Sequence, residues 1–336
     1  MSGSALAIED LKVYYWTERG PIKAVDGVSL SVKKGERFGI VGESGCGKST
    51  LAMSLLRLIK PPGTIEGGRI GLDGTEVLDL NDEELRVVRW SRISLVPQGS
   101  MNSLNPVVRV GSQIADAIKA HTASRERGDM KERITELLGL VGLPSRVYRM
   151  YPHELSGGMK QRVCIAMAIV LKPQVIIADE PTGSLDVVMQ RVVTQTLVKV
   201  QERLAASLMI IGHDMGYLAQ LVDRLAVMYA GKVVEVSAVE NIYNDPLHPY
   251  TRLLIASVPS VKEKKKLLGI PGLPPTLLFP PPGCSFHPRC PDAMEECREQ
   301  VPELREVKPG RFVACHLYNG DVEIAGEGEN EEPNRK

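Results

Sequence analysis

The chain is 336 residues long, carries 41 Lys and Arg against 41 Asp and Glu, and is only 4% aromatic. That length holds one large α/β domain plus something smaller, and scattered, balanced charge excludes a nucleic-acid footprint built from a basic face interleaved with aromatics. The longest apolar runs, such as Val175-Ile176-Ile177-Ala178, are strand-length and far short of the ~20 residues that cross a bilayer. Met1-Ser2-Gly3-Ser4-Ala5 lacks the charged-then-apolar build of a signal peptide, so the cytoplasm is the expected compartment.

Residues 5–36 alternate like strands around the polar turn Thr17-Glu18-Arg19-Gly20, which predicts an antiparallel β layer. Within it Tyr14-Tyr15-Trp16 is a candidate face for adenine, with ordinary strand packing as the alternative. The buried-strand run Phe38-Gly39-Ile40-Val41 then meets Gly42-Glu43-Ser44-Gly45-Cys46-Gly47-Lys48-Ser49-Thr50, and Leu51-Ala52-Met53-Ser54 continues as a helix. A glycine loop between strand and helix turns backbone N–H groups into a nest for phosphate oxygens. Lys48 is expected to reach the β- and γ-phosphates, and the Ser49 hydroxyl to sit on Mg²⁺. Cys46 at a helix start is expected to have a lowered thiol pKa.

A short strand, Arg69-Ile70-Gly71-Leu72, precedes a helix opening at Asn81-Asp82-Glu83-Glu84, where acidic residues suit the helix dipole. Ile93-Ser94-Leu95-Val96 delivers Gln98, an amide that can ligate Mg²⁺ or orient water. From about 99 to 160 the pattern is helical, an insertion between two sheet strands. At its end Leu155-Ser156-Gly157-Gly158 runs into a helix, giving a second anion-binding helix start from Ser156, Gly157 and Gly158. The apolar run 175–178 reads as a central parallel strand ending in Asp179-Glu180. Asp179 fits a Mg²⁺ contact and Glu180 a general base. Ser184-Leu185-Asp186 opens the next helix, and Leu208-Met209-Ile210-Ile211 ends at His213, a candidate donor to a γ-phosphate.

With these residues in place the chain resembles the nucleotide-binding subunit of ATP-binding cassette (ABC) transporters over about residues 5–258. In order they are similar to an A-loop (Tyr15), Walker A (Gly42 to Thr50), Q-loop (Gln98), signature (Ser156 to Gly158), Walker B with catalytic glutamate (Asp179, Glu180), D-loop (Asp186) and H-switch (His213). The resemblance implies a P-loop ATPase core with an antiparallel β subdomain and a helical insertion. It also implies ATP and Mg²⁺ as cofactors and head-to-tail pairing with a second ATPase subunit, whose signature caps this chain's ATP. Two transmembrane permeases, and indirectly an extracytoplasmic binding protein, are the implied partners, with this chain peripheral at the cytoplasmic face of the membrane; nucleic acid is not an implied partner. Met159, where the family's signature usually has Gln, is a departure.

His248-Pro249-Tyr250-Thr251 resembles a hallmark of the dipeptide and oligopeptide importers, with an oligosaccharide importer as the alternative. A soluble ABC ATPase of DNA repair or translation fits less well, since the stretch from Gln98 to Leu155 is too short for long coiled coils. The chain then divides by expectation into a nucleotide-binding domain (1–258), a Pro/Gly-rich linker (259–283), a Cys-rich extension (284–318) and a disordered acidic tail (319–336). Cys284, Cys290, Cys297 and Cys315 lack the C-x₂₋₄-C pairs that zinc sites favour. Cys290-Pro291 echoes ferredoxin runs, and some relatives in the resembled family carry a cluster there, so a [4Fe–4S] cluster is expected, with zinc or no metal as alternatives.

Overall fold

The computed structural model describes residues 3–99, 103–121, 129–183, 185–258 and 269–319. Ser184, the lysine cluster at 262–266 and the acidic tail beyond 319 lie outside the described residues.

The chain opens with a long hairpin, β1 (Ser4–Thr17) and β2 (Gly20–Lys33). A register shift around Asp10, whose φ is 45°, brings Leu11 and Val13 into the same buried layer as Leu6 and Ile8, as bulges do. β3 (Arg37–Val41) feeds the glycine loop and α1 (Lys48–Ser54). β4 (Gly63–Leu72) pairs with β1 and with the short β5 (Thr75–Glu76), completing an antiparallel sheet in the order β2-β1-β4-β5. β4 is longer than its apolar stretch predicts because pairing, not composition, starts it: Gly63 lies opposite Tyr15.

α2 (Asp82–Ser91) begins in a capping box. Asn81 accepts the N–H groups of Glu83 and Glu84, and Glu84 in turn accepts that of Asn81. After β6 (Ile93–Val96) come the inserted α3 (Val110–Lys119) and α4 (Met130–Leu140), then α5 (Gly157–Ile169). β7 (Val175–Asp179) is buried at all its positions, and α6 (Val187–Leu204), β8 (Ser207–Gly212), α7 (Met215–Leu218), β9 (Arg224–Tyr229) and β10 (Lys232–Ala238) follow. The chain closes with α8 (Val239–Asn244), α9 (Pro249–Ala256), α10 (Glu296–Glu299), β11 (Arg305–Lys308) and β12 (Arg311–Val313).

The large sheet runs β11-β12-β10-β9-β3-β8-β7-β6, and its pairs from β9 to β6 are parallel. Side chains alternate across a strand, so Ile176 and Ala178 pack with the insertion helices while Val175 and Ile177 pack with the hairpin layer. Covering both faces explains the unbroken apolar run of β7. The register sets Val41 beside Gly212 and Asp179 beside Ile211. The carboxyl ends of β3, β7 and β8 therefore lie level, at the edge where open α/β sheets bind ligands.

The late segment joins this sheet: β12 pairs with β10 through Glu235 opposite Val313 and Val236 opposite Phe312. An exposed strand edge carries unpaired N–H and C=O groups, and β12 covers that of β10. Among the described residues no helix is long and apolar enough to cross a membrane.

Candidate active site

The glycine loop is shaped by close approach. A Cβ on Gly42 would collide with the Met228 carbonyl, and one on Gly47, which has φ 105°, with that of Ala24. Gly45 also holds a positive φ, of 78°, a region where only glycine sits at no steric cost. Lys48 curls back so that Nζ donates to the carbonyls of Gly42 at 2.7 Å and Glu43 at 2.9 Å. The ammonium thus lies inside the loop, and no side chain caps the start of α1. Ser44 and Thr50 complete the loop and the first turn around it.

Asp179 ends β7 at 4% exposure, and its Oδ1 has no hydrogen-bond partner. Burial pushes its carboxyl above the ordinary range, and Glu180 adds to this; the Ser49 hydroxyl and Lys48 oppose it. An orphaned carboxylate oxygen beside a bonded serine hydroxyl is a donor set that fits Mg²⁺.

Glu180 takes a left-handed backbone conformation, φ 44°, rare for a residue with a side chain. Its N–H donates to Ile211 at 2.9 Å and its carbonyl accepts from Gly183 at 3.1 Å. The carboxylate is contacted from both sides, by Gln98 Nε2 at 3.0 Å and His213 Nδ1 at 3.3 Å. Two residues distant in sequence, Gln98 and His213, thus meet on the carboxylate of Glu180.

The second helix start is built differently. Ser156 caps α5 by accepting the Met159 N–H at 3.3 Å, and Asp186 caps α6 by accepting that of Met189 at 2.9 Å. The two helix starts touch, since a Cβ on Gly158 would lie 2.5 Å from Met189 Sδ. Among the described residues no hydrogen bond or ion pair joins Ser156, Gly157 or Gly158 to residues 42–50. The Met159 side chain packs against the core, and its backbone N–H serves the Ser156 cap.

On β1, Tyr14 donates to Asp26 at 2.7 Å and Trp16 to Glu66 at 2.8 Å. Tyr15 is half-buried against Gly63, where a Cβ would come within 2.6 Å of its ring. The Cys46 expectation is corrected: burial pushes its thiol up, and Lys48, with Nζ 3.6 Å from Sγ, does not outweigh it.

Among the described residues no group of three or more His, Cys, Asp or Glu side chains is set to hold a metal ion. The expected cluster at Cys284, Cys290, Cys297 and Cys315 is therefore not supported by this geometry. None of the four forms a disulfide. They lie in one another's electrostatic field, and burial above all pushes Cys290 and Cys315 up to about 11. Fully buried His248 caps α9 by accepting the Tyr250 N–H at 3.0 Å, and burial lowers its pKa to about 3.

Sequence reasoning missed one set of contacts. Glu43 in the glycine loop is held by Arg289, at 2.7 and 2.9 Å, and its N–H donates to the Tyr250 hydroxyl at 3.0 Å. Only the tetrapeptide around Tyr250 carried a signal; Arg289 is one arginine among many.

The ABC transporter family model matches residues 25–183, and that of the oligopeptide/dipeptide transporter C-terminal region matches 234–297. A dipeptide transport ATP-binding protein of Caldanaerobacter subterraneus is 43% identical over 93% of this chain and 97% of its own length. The corresponding Escherichia coli protein is 39% identical over 94% and 98%, and an oligopeptide transport ATP-binding protein of Bacillus subtilis 41% over 94% and 97%. An ATP-binding cassette solved as a dimer in a post-hydrolysis state with ADP and Pi superposes with a TM-score of 0.62 at 28% identity, covering 70% of this chain and 98% of that one. Motif order, strand-end geometry and relatives that match over nearly their whole length agree, and the chain belongs to the ATP-binding subunits of ABC transporters.

Proposed function

We propose that this chain is the ATP-hydrolysing subunit of a peptide importer of the dipeptide and oligopeptide type. The observation that carries the chemistry is the Glu180 carboxylate, bridged by Gln98 and His213 beside the glycine loop. Lys48 leaves its own loop carbonyls to meet the phosphates, and Tyr15 offers a ring to the adenine. Ser49 and Asp179 would hold Mg²⁺, which when bound neutralises charge on the phosphate oxygens. Glu180 accepts the proton of the attacking water, and Gln98 and His213 fix the carboxylate for in-line attack. Ser156, Gly157, Gly158 and Asp186 serve the ATP held by a second ATPase subunit; among the described residues no hydrogen bond or ion pair ties Ser156, Gly157 or Gly158 to residues 42–50. Two transmembrane permeases and, indirectly, an extracytoplasmic binding protein complete the transporter, with this chain at the cytoplasmic face of the membrane.

Peptide as cargo rests on the dipeptide and oligopeptide names of the relatives and the match over 234–297. The assembled transporter in vesicles tests it: peptide-loaded binding protein should stimulate hydrolysis, and stimulation by an oligosaccharide instead would overturn the reading. Separately, a [4Fe–4S] cluster on Cys284, Cys290, Cys297 and Cys315, with zinc as the alternative, is proposed from the spacing of four cysteines in one segment and from the family resemblance, and not from the geometry of the described residues, which sets no three of them to hold a metal ion. Anaerobically purified chain should show stoichiometric iron and absorbance near ~400 nm; colourless, iron-free chain would remove the cluster.

A further inference from the structure

We propose that Arg289 positions the phosphate loop: its guanidinium, supplied by the late segment, neutralises and fixes Glu43 so that the loop accepts a polyphosphate. The inference rests on reading residues 42–50 as the ATP site. Glu43 sits one residue into that loop, its carbonyl on Lys48 Nζ at 2.9 Å and its N–H on the Tyr250 hydroxyl at 3.0 Å. Its carboxylate receives two parallel bonds from Arg289, at 2.7 and 2.9 Å, the forked geometry that lysine cannot reproduce.

Arg289 is itself locked. Its side chain is 5% exposed, against 22% for Glu43. Nε donates to the Pro271 carbonyl at 2.8 Å and Nη1 to the Tyr229 hydroxyl at 3.2 Å. The guanidinium lies over the rings of Tyr229 and Phe286, 5.7 and 6.0 Å from their centroids. Phe286 is fully buried against Tyr229 and Tyr250. In a chain with only four phenylalanines, one is used to seat this arginine. The charge argument is direct. A bare carboxylate beside a phosphate nest repels the ligand, and a half-buried carboxylate stripped of its partner is strongly unfavourable. Arg289 acts through Glu43 and is a positioning residue.

The test uses the full-length chain for MgATP affinity and the assembled transporter for kinetics. Arg289→Ala should weaken MgATP binding and raise KM by about tenfold while kcat stays within about twofold. The double variant Arg289→Ala/Glu43→Gln, which removes the stranded charge, should return affinity to within about threefold of the parent. Arg289→Lys should fall between the parent and Arg289→Ala, and should serve alone if the alanine variant does not fold. A merely structural anchor predicts a lower thermal midpoint with KM unmoved and no rescue by Glu43→Gln; either unchanged affinity or failed rescue overturns the proposal. A parent chain that does not bind MgATP removes the ATP-site reading instead.

Discussion

The two glycine-bearing helix starts, at 42–50 and at 156–158, invite comparison because their composition is so similar. The first is enclosed by this chain on several sides: β2 and β9 press on its glycines, Lys48 fills its concavity, and Arg289 and Tyr250 hold Glu43. The second spends its serine on its own helix cap and packs on α6 through Gly158. The loop at 42–50 is braced from within its own chain, whereas among the described residues no hydrogen bond or ion pair ties Ser156, Gly157 or Gly158 to it, and on the proposed reading that helix start serves a second subunit. Like sequences acquire unlike surroundings because only tertiary contacts decide what packs against each helix start.

The largest expected effect comes from spoiling the braced loop. Gly47→Ala combines a backbone collision with a left-handed φ, so MgATP binding should be lost by calorimetric titration; retained affinity would show that the loop can rearrange. Next, Glu180→Gln should slow hydrolysis by about 10²–10⁴-fold while the ATP-bound dimer accumulates on size exclusion. Unchanged turnover would remove Glu180 from the chemistry.

Ser156→Ala sharpens the contrast between the two helix starts. It deletes a cap worth about 1 kcal/mol and should lower hydrolysis by the assembled pair, while dilute chain keeps its ATP affinity. A loss of affinity in dilute chain would mean that the second helix start serves its own loop after all.

The smallest effect is a pH effect at Asp179. Its folded-state pKa is raised, chiefly by burial, so the folded state holds its proton to higher pH than the unfolded chain does. The apo chain therefore loses stability as pH rises from the ordinary carboxylate range through the raised value. Asp179→Asn should remove that loss, raising the apo thermal midpoint at neutral pH by roughly 2 °C while abolishing Mg²⁺-dependent hydrolysis. An unchanged midpoint would mean that the buried carboxylate carries no such penalty.

Much of this site was legible in the residues. Local signals sufficed for the loop at 42–50, the helix start at 81–84, the doubly covered β7 and the acids at its end, because each depends on neighbours in sequence. Cys46 was misread because a helix start argues for a low thiol pKa, but packing buried the thiol. The reach of β4 back to Gly63 was hidden as well, since a strand's limits are set by its partner.

What the sequence by itself determined is the order of the chemical groups: a glycine loop at a helix start, an amide, a second glycine-bearing helix start, two carboxylates and an imidazole. Each follows from residue type and immediate neighbours. Tertiary structure alone decided that Gln98 and His213 meet on Glu180, that β12 closes the edge of β10, and that Arg289 grips Glu43 from 246 residues away in sequence. Those pairings span long separations, and nothing local in the chain encodes which distant residue a folded sheet will bring to its edge.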